Sequence, residues 1–242
     1  MRLDKFLANA GCGTRSEVKK LITSGNILLC GLPVRNPGYI LSDTDLHSIE
    51  INGEKFSPDH CDFYMMHKPD KYLTAMKDDR KTTIAELIPT ELNHLHLSPV
   101  GRLDYHTTGL LLLTSDGITA HRLLSPKNNI PKEYLVEFSG ESLSQKEVGL
   151  FAQGLTLHEN GKPELLLKPA KLYIKSTSSA SLIITEGKTH QVRRMFAAIH
   201  RPVIKLHRIS FGTLQLGNLP EGSIRKLNPE EIQELKECAG RK

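Results

Sequence analysis

The sequence predicts an α+β protein built in two parts, and three observations carry that prediction. Apolar residues recur at helical spacing near the N-terminus and again between 192 and 199. Short apolar runs alternate with Gly, Pro and Asp turns elsewhere. A polar, Pro-containing stretch at 57–62 separates a small first unit from a larger second one. The division predicted is 1–59 and 60–242, and 242 residues suffice for a substantial core.

In the first unit Leu3, Phe6, Leu7 and Ala10 share one helix face, and Gly11 and Gly13 stop that helix. Thr14 and Glu17 have the spacing of a capping box for a second helix, whose apolar face is Val18, Leu21 and Ile22 and whose end is Gly25. Arg15 and Lys19, four residues apart, and Lys20 beside them bring their charges together on this helix, a pattern that also suits an ordinary solvated surface. Residues 26–53 alternate apolar runs with turn residues, as a small sheet does.

The second unit opens with a strand, FYMM, that enters a turn at His67-Lys68-Pro69-Asp70, and a short helix follows around Ile84 to Ile88. Gly101 and Gly109 bracket a turn containing Asp104, Leu110 to Thr114 form a short buried strand, and Ser115-Asp116-Gly117 ends it. Asp104 thus stands in a loop at the mouth of a core strand, where functional groups concentrate, although most loop carboxylates only form turns. The Ser-rich stretch 176–181 reads as a hairpin tip. Val192, Met195, Phe196 and Ile199 define a helix with Arg193 and Arg194 near its start. Cations there oppose the helix dipole, an arrangement that a nearby anion relieves.

Lys and Arg number 32 against 27 Asp and Glu, a net charge of +5. The charge is concentrated: from 186 to 208, Lys188, Arg193, Arg194, Arg201, Lys205 and Arg208 face a single acid, Glu186. Two basic regions of this kind favour a polyanionic partner. No apolar stretch approaches the ~20 residues that cross a bilayer, and Asp4, Lys5 and Asn9 interrupt what a signal peptide would keep apolar. Cys12, Cys30, Cys61 and Cys238 are scattered and form no CxxC pair, which suits reduced thiols. A cytoplasmic protein with no membrane partner, and a monomer, is expected.

Two resemblances follow from these residues. RLDKFLANAGCGTRSEVKKLITSGNILLCG, from Arg2, resembles an S4-type RNA-binding module, whose basic helix matches Arg15, Lys19 and Lys20. Downstream, GRLDYHTTGLLLLT, NIPKEYLVEF and EGKTHQVRRMF occur in the order and spacing of the pseudouridine synthases, in the branch typified by the small-subunit ribosomal RNA enzyme. LHENGKPELLLKPA and HRLLSPKNNIPKEYLV are closer to the enzymes acting on 16S RNA than to those acting on 23S RNA. The resemblance spans Arg2 to about Leu235 and implies, for the second unit, a long mixed, mainly antiparallel sheet flanked by helices, with a cleft across it.

It also implies roles. Asp104 matches the essential aspartate, Tyr134 the tyrosine that stacks on the target uracil, Arg193 the basic residue paired with the aspartate, and Arg102 the arginine that helps extrude and hold the nucleotide. Lys68, Thr108, Lys132, Lys188, His190, Gln191 and Arg194 lie in or beside the matching motifs and are expected to contact RNA, with Arg15, Lys19 and Lys20. Asp70 and Lys71 depart from the pattern, standing where a glycine often follows Lys-Pro, and Tyr105-His106 fills two variable positions.

The chemistry suits these residue types. Isomerising uridine breaks the N1–C1′ bond, turns the uracil and rejoins it through C5; nothing is oxidised and no group is gained, so no cofactor is expected. An ionised carboxylate can attack or stabilise C1′ or C6, or take a sugar proton. Held in a site closed to water it requires a fixed positive partner, and arginine stays charged and binds carboxylates as a fork. Reaching a uridine in folded RNA requires flipping it out, which a stacking aromatic such as Tyr134 partly offsets; the same tyrosine also suits the plain face of a sheet. Asp116 reads as a turn residue, Glu133 points to the face opposite Tyr134, and Glu186 is a turn residue beside bases. His94 and His96 have minimal ligand spacing but no carboxylate or cysteine cluster beside them, so no metal site is expected. The expected partner is 16S ribosomal RNA, alone or in an assembling small subunit. The alternatives are a 23S enzyme of the same family and a non-catalytic RNA-binding assembly factor. A methyltransferase is disfavoured, because no glycine-rich cofactor loop follows a first strand.

Overall fold

The computed structural model describes residues 2–9, 12–13, 15–42, 45, 48–56, 62–157 and 164–240. The Thr14 cap and all of the 57–62 linker but Asp62 lie outside the described residues, as do residues 158–163 of the first of the two stretches that favour 16S RNA. Among the described residues no helix is long and apolar enough to cross a membrane.

The apolar spacing at the N-terminus produces two helices, α1 (Leu3–Asn9) and α2 (Arg15–Thr23). Leu3, Phe6, Leu7, Val18 and Ile22 are fully buried between them and a small sheet of β1 (Ile27–Leu29), β2 (Leu32–Pro33), β3 (Ile49–Ile51) and β4 (Glu54–Lys55) in the order β2-β1-β3-β4. Arg15, Lys19 and Lys20 stay exposed on the outer side of α2.

The second unit is organised by a nine-stranded sheet. Its strands in chain order are β5 (Phe63–Lys68), β6 (Ser98–Pro99), β7 (Thr107–Thr114) and β8 (Lys132–Phe138). A separate ribbon of β9 (Thr156–Leu157) and β10 (Leu165–Leu166) follows. The sheet resumes with β11 (Lys171–Ser176), β12 (Ser179–Ile184), β13 (Val203–Phe211), β14 (Leu214–Gln215) and β15 (Ile224–Lys226). The path runs β11-β12-β8-β13-β7-β5-β15, and only β13 and β7 run parallel. The expected mixed, mainly antiparallel sheet is therefore present, and the Ser-rich stretch joins β11 to β12 as a hairpin.

The leucine run explains why the sheet is central. Leu111 and Leu113 enter one core with Tyr64 and Met66, while Leu110 and Leu112 enter another with Phe63 and Met65. A strand buried on both faces reads as a continuous apolar run, because the two-residue period sends alternate side chains to opposite sides. On the first face pack α4 (Gln145–Gln153), through Phe151, and α5 (Gln191–Ala198), through Val192, Met195 and Phe196. On the second pack α3 (Gly117–Leu124), through Leu123, and α6 (Pro229–Gly240), through Leu235 and Ala239.

Two local expectations are corrected. Gly109 lies inside β7 rather than closing a turn, and β7 begins at Thr107. Its φ of +106° and the approach of β13, whose Arg208 carbonyl oxygen would stand 2.2 Å from an added Cβ, restrict the position to glycine. Asp116 does not merely end a strand: its carboxylate accepts from the backbone N–H groups of Ile118 and Thr119 and so caps α3.

Candidate active site

Asp104 sits where the loop after β6 turns into β7, at the end of the parallel pair β7–β13. The Thr107 N–H donates to the Asp104 carbonyl at 3.0 Å, which closes the turn. Three cavities, of about 690, 590 and 80 Å³, share Asp104 and His190 in their walls. Asp104 is therefore half-buried between two broad clefts and one narrow recess.

The loop is held along its length by the end of β5 and the segment that follows it. Lys68 is fully buried, and its Nζ donates to the carbonyls of Pro69, Tyr105 and Thr107 at 3.0, 3.3 and 2.9 Å. Burial pushes this ammonium down to about 8, against the pull of Asp70, Asp104 and Glu221. The Lys71 N–H donates to the Tyr105 carbonyl, and Asp70 meets His106 Nδ1 at 3.0 Å. Buried Thr74 donates its hydroxyl to the Leu103 carbonyl at 2.7 Å and accepts from the Leu103 N–H at 3.2 Å. Lys71 takes φ +61°, the left-handed conformation that accounts for the glycine often found after Lys-Pro.

From the other side comes the turn before α5. His190 occupies its N-cap with φ +50°, and its Nε2 lies 3.6 Å from Asp104 Oδ1. Arg193, half-buried, donates to the His106 carbonyl at 3.0 Å and to the Val203 carbonyl at 3.4 Å. Among the described residues Arg193 forms no ion pair with Asp104, and the basic group that meets the carboxylate is His190. Arg193 instead straps the Asp104 loop to β13 while lining the largest cavity.

Tyr134, 8% exposed on β8, opens onto the narrow recess beside Asp104, with Leu206, Ile184 and Val192 around it. Arg102 and Lys188, both exposed, line that recess and the 590 Å³ cleft; Thr108 lines the 690 Å³ one, its hydroxyl 2.7 Å from His207 Nδ1. Glu133 accepts from the Ser181 hydroxyl and lines none of these cavities.

Several residues expected to contact RNA are buried. Besides Lys68, Lys132 is buried, donates to the Ile130 carbonyl and lies over the Phe211 ring, and burial pushes it down to about 8. Gln191 is buried as well: its amide donates to Glu186 and accepts from the Lys188 N–H, so it braces the turn from within. Glu186 is itself buried. Arg194 donates to the Thr189 carbonyl in the same turn, and the α2 cations line none of the three cavities. The sequence reading missed Thr74 and Thr107. Nothing in the sequence marks Thr74, because its partner lies 29 residues away.

Comparison with known proteins matches this architecture. The RNA pseudouridylate synthase family matches residues 62–198 and the S4 domain matches residues 1–47. The chain belongs to the RNA pseudouridine synthase family, and it is an isomerase. A Bacillus subtilis protein described as an uncharacterized RNA pseudouridine synthase is 39% identical, covering 98% of this chain and 99% of its own length. The ribosomal small subunit pseudouridine synthase A of Vibrio cholerae is 37% identical over 97% of this chain and 99% of that one. The ribosomal large subunit pseudouridine synthase B of Bacillus subtilis is 35% identical over 98% and 96%. A crystal structure of a pseudouridylate synthase, 34% identical, superposes with a TM-score of 0.69 over 97% of this chain and 99% of that one.

Proposed function

We propose that the protein converts a uridine of small-subunit ribosomal RNA to pseudouridine, with Asp104 as the catalytic carboxylate. The observation that carries this reading is the placement of Asp104 in the wall of all three cavities, beside Tyr134 and a basic rim of Arg102, Lys188, His190 and Arg193. Binding RNA alone gives no reason to hold an acid at the centre of a basic cleft, since it repels the phosphates.

The flipped uridine stacks on Tyr134, Arg102 and Lys188 hold its phosphates at the rim, and Asp104 acts at the sugar or at C6. The N1–C1′ bond breaks, the uracil turns, C5 bonds to C1′, and the C5 proton is exchanged for one on N1. Reactant and product have the same composition, so side chains suffice. Arg193 keeps the carboxylate in a positive field, and the Arg15, Lys19 and Lys20 face of α2 adds contacts to the RNA backbone. The protein works as a cytoplasmic monomer on ribosomal RNA, free or in an assembling small subunit.

The test is a nucleotide-resolved pseudouridine map of ribosomal RNA with and without the gene, with Asp104→Asn as the rescue control. One or more 16S positions disappear on deletion and return with the native gene but not with Asp104→Asn. The similarity to a large-subunit enzyme supports a second reading, in which the lost position lies in 23S RNA. Native-rate modification by purified Asp104→Asn would falsify the assignment of the carboxylate.

A further inference from the structure

Thr107 stands at the first position of β7 with its backbone fixed on three sides. Its N–H donates to the Asp104 carbonyl, its carbonyl accepts from Lys68 Nζ at 2.9 Å, and it sits opposite Leu206 in the parallel register with β13. The residue is 1% exposed, and its Oγ1 has no hydrogen-bond partner among the described residues. Thr107 is one of the residues that wall the narrow recess, together with Asp104 and Tyr134. Its neighbour Thr108, by contrast, is satisfied by His207 on the other side of the sheet.

A buried hydroxyl without a partner is costly, and a well-packed native structure retains few of them. Threonine is not required there for its shape, because valine fills the same volume and removes the cost. The group is also rigid, since a β-branched side chain on a strand has little χ1 freedom. A donor held still and unpaired at the place where a flipped base stacks meets the geometric requirement for stabilising charge that develops during a reaction.

We infer that the Thr107 hydroxyl is a substrate-contacting group that donates a hydrogen bond to a carbonyl oxygen of the flipped uracil. The inference rests on the reading of Asp104 and Tyr134 given above. When the N1–C1′ bond breaks, the uracil takes its electron pair and shares the negative charge between N1 and the carbonyl oxygens. A hydroxyl on one of those oxygens strengthens its bond as that charge forms and weakens it again once C5 is bonded to C1′ and N1 regains a proton. The Oγ1 proton stays on Thr107 throughout.

The experiment measures the single-turnover rate of pseudouridine formation, RNA affinity and thermal unfolding for native protein, Thr107→Val and Thr107→Ser. The RNA is total ribosomal RNA, and separated subunits, from a strain lacking the gene. Thr107→Val is expected to lose on the order of 100-fold in rate, with RNA affinity within about twofold of native and an unfolding midpoint equal to or above native. Thr107→Ser is expected to recover most of the rate. A Thr107→Val rate within threefold of native overturns the inference, and so does a lowered unfolding midpoint at native rate, since the hydroxyl would then have a structural partner. Should Thr107→Val fail to fold, Thr107→Ser and Thr107→Ala decide: equal rates for these two overturn it. Asp104→Asn is measured beside them. A fast Asp104→Asn defeats the reading of the carboxylate, whereas a dead Asp104→Asn with a fast Thr107→Val defeats only the inference drawn from Thr107.

Discussion

The lysines and arginines of this protein divide into two populations that look alike in sequence. On α2, Arg15, Lys19 and Lys20 keep their charges in water on an exposed helix face. Under the candidate active site, Lys68, Lys132 and Arg208 are buried among backbone carbonyls and aromatic rings; Arg208 donates Nε to the Leu110 carbonyl at 2.7 Å and lies over Phe211. Exposed cations make a field that reaches a polyanion across a Debye length of about 8–10 Å, weakly and with steep salt dependence. Buried ones have given up hydration, which backbone acceptors and aromatic faces offset in part, and in return they fix the chain that supplies those acceptors. A basic protein that acts on RNA thus spends part of its positive charge on holding its own loops still.

The sharpest way to break this division is Lys68→Met. It removes a donor from the carbonyls of Tyr105 and Thr107, which follow Asp104 in the chain, while leaving the outer surface untouched. A catalytic group misplaced by about 1 Å loses on the order of 100-fold in rate, and each buried acceptor left without its donor costs about 1–3 kcal/mol. Lys68→Met is therefore expected to fall about 100-fold in single-turnover rate and to unfold at a lower temperature, with the salt dependence of RNA binding unchanged. A shallower salt dependence in this variant would place Lys68 among the RNA contacts after all.

The opposite substitution sharpens the other half. Replacing Arg15, Lys19 and Lys20 together by glutamine leaves every described hydrogen bond under the active site in place. The slope of log affinity against log salt is expected to fall by about 2–3, the contribution of three phosphate contacts. The unfolding midpoint and the single-turnover rate at saturating RNA stay at native values. Filter binding between 50 and 200 mM salt measures the slope, and an unchanged one would remove α2 from the RNA interface.

Much of this was legible in the sequence, and the exceptions share a cause. The helices α1, α2 and α5 followed from apolar spacing, and the leucine run announced a core strand, because these patterns are local. That β7 starts at Thr107 was hidden, because Gly109 reads as a turn residue until the close approach of β13 is seen. The helix α3 was missed for a related reason: Asp116-Gly117 is a turn signal and a helix start at once. Of the four residues named by the motifs, Asp104, Tyr134 and Arg102 line one recess and Arg193 does not. The motif order could not show that Lys68 finds its acceptors 37 and 39 residues away, or that His190 reaches Asp104 while Arg193 grips the loop. Burial of a cation is a tertiary property, and a sequence motif records only that a cation is needed.

The smallest effect expected is a dependence on pH that only the buried population shows. In the folded protein Lys68 gives up its proton near 8, whereas in the unfolded chain it does so at its ordinary value of 10.5. Between those limits the unfolded chain binds more protons than the folded one, so the unfolding free energy rises with pH through this window. Below the window both states carry the charge and the folded state bears its full desolvation. Lys132 behaves alike, but it is present in native protein and in Lys68→Met and cancels in their difference. The gap in unfolding midpoint between the two is therefore expected to widen from pH 7.5 to 9.5 by about 1–2 kcal/mol, roughly 2–8 °C at this size. The α2 glutamine variant, whose cations are hydrated in both states, runs parallel to native protein over the same range. A gap that stays constant would mean that Lys68 keeps its proton in the folded state, with three carbonyls holding the ammonium against desolvation.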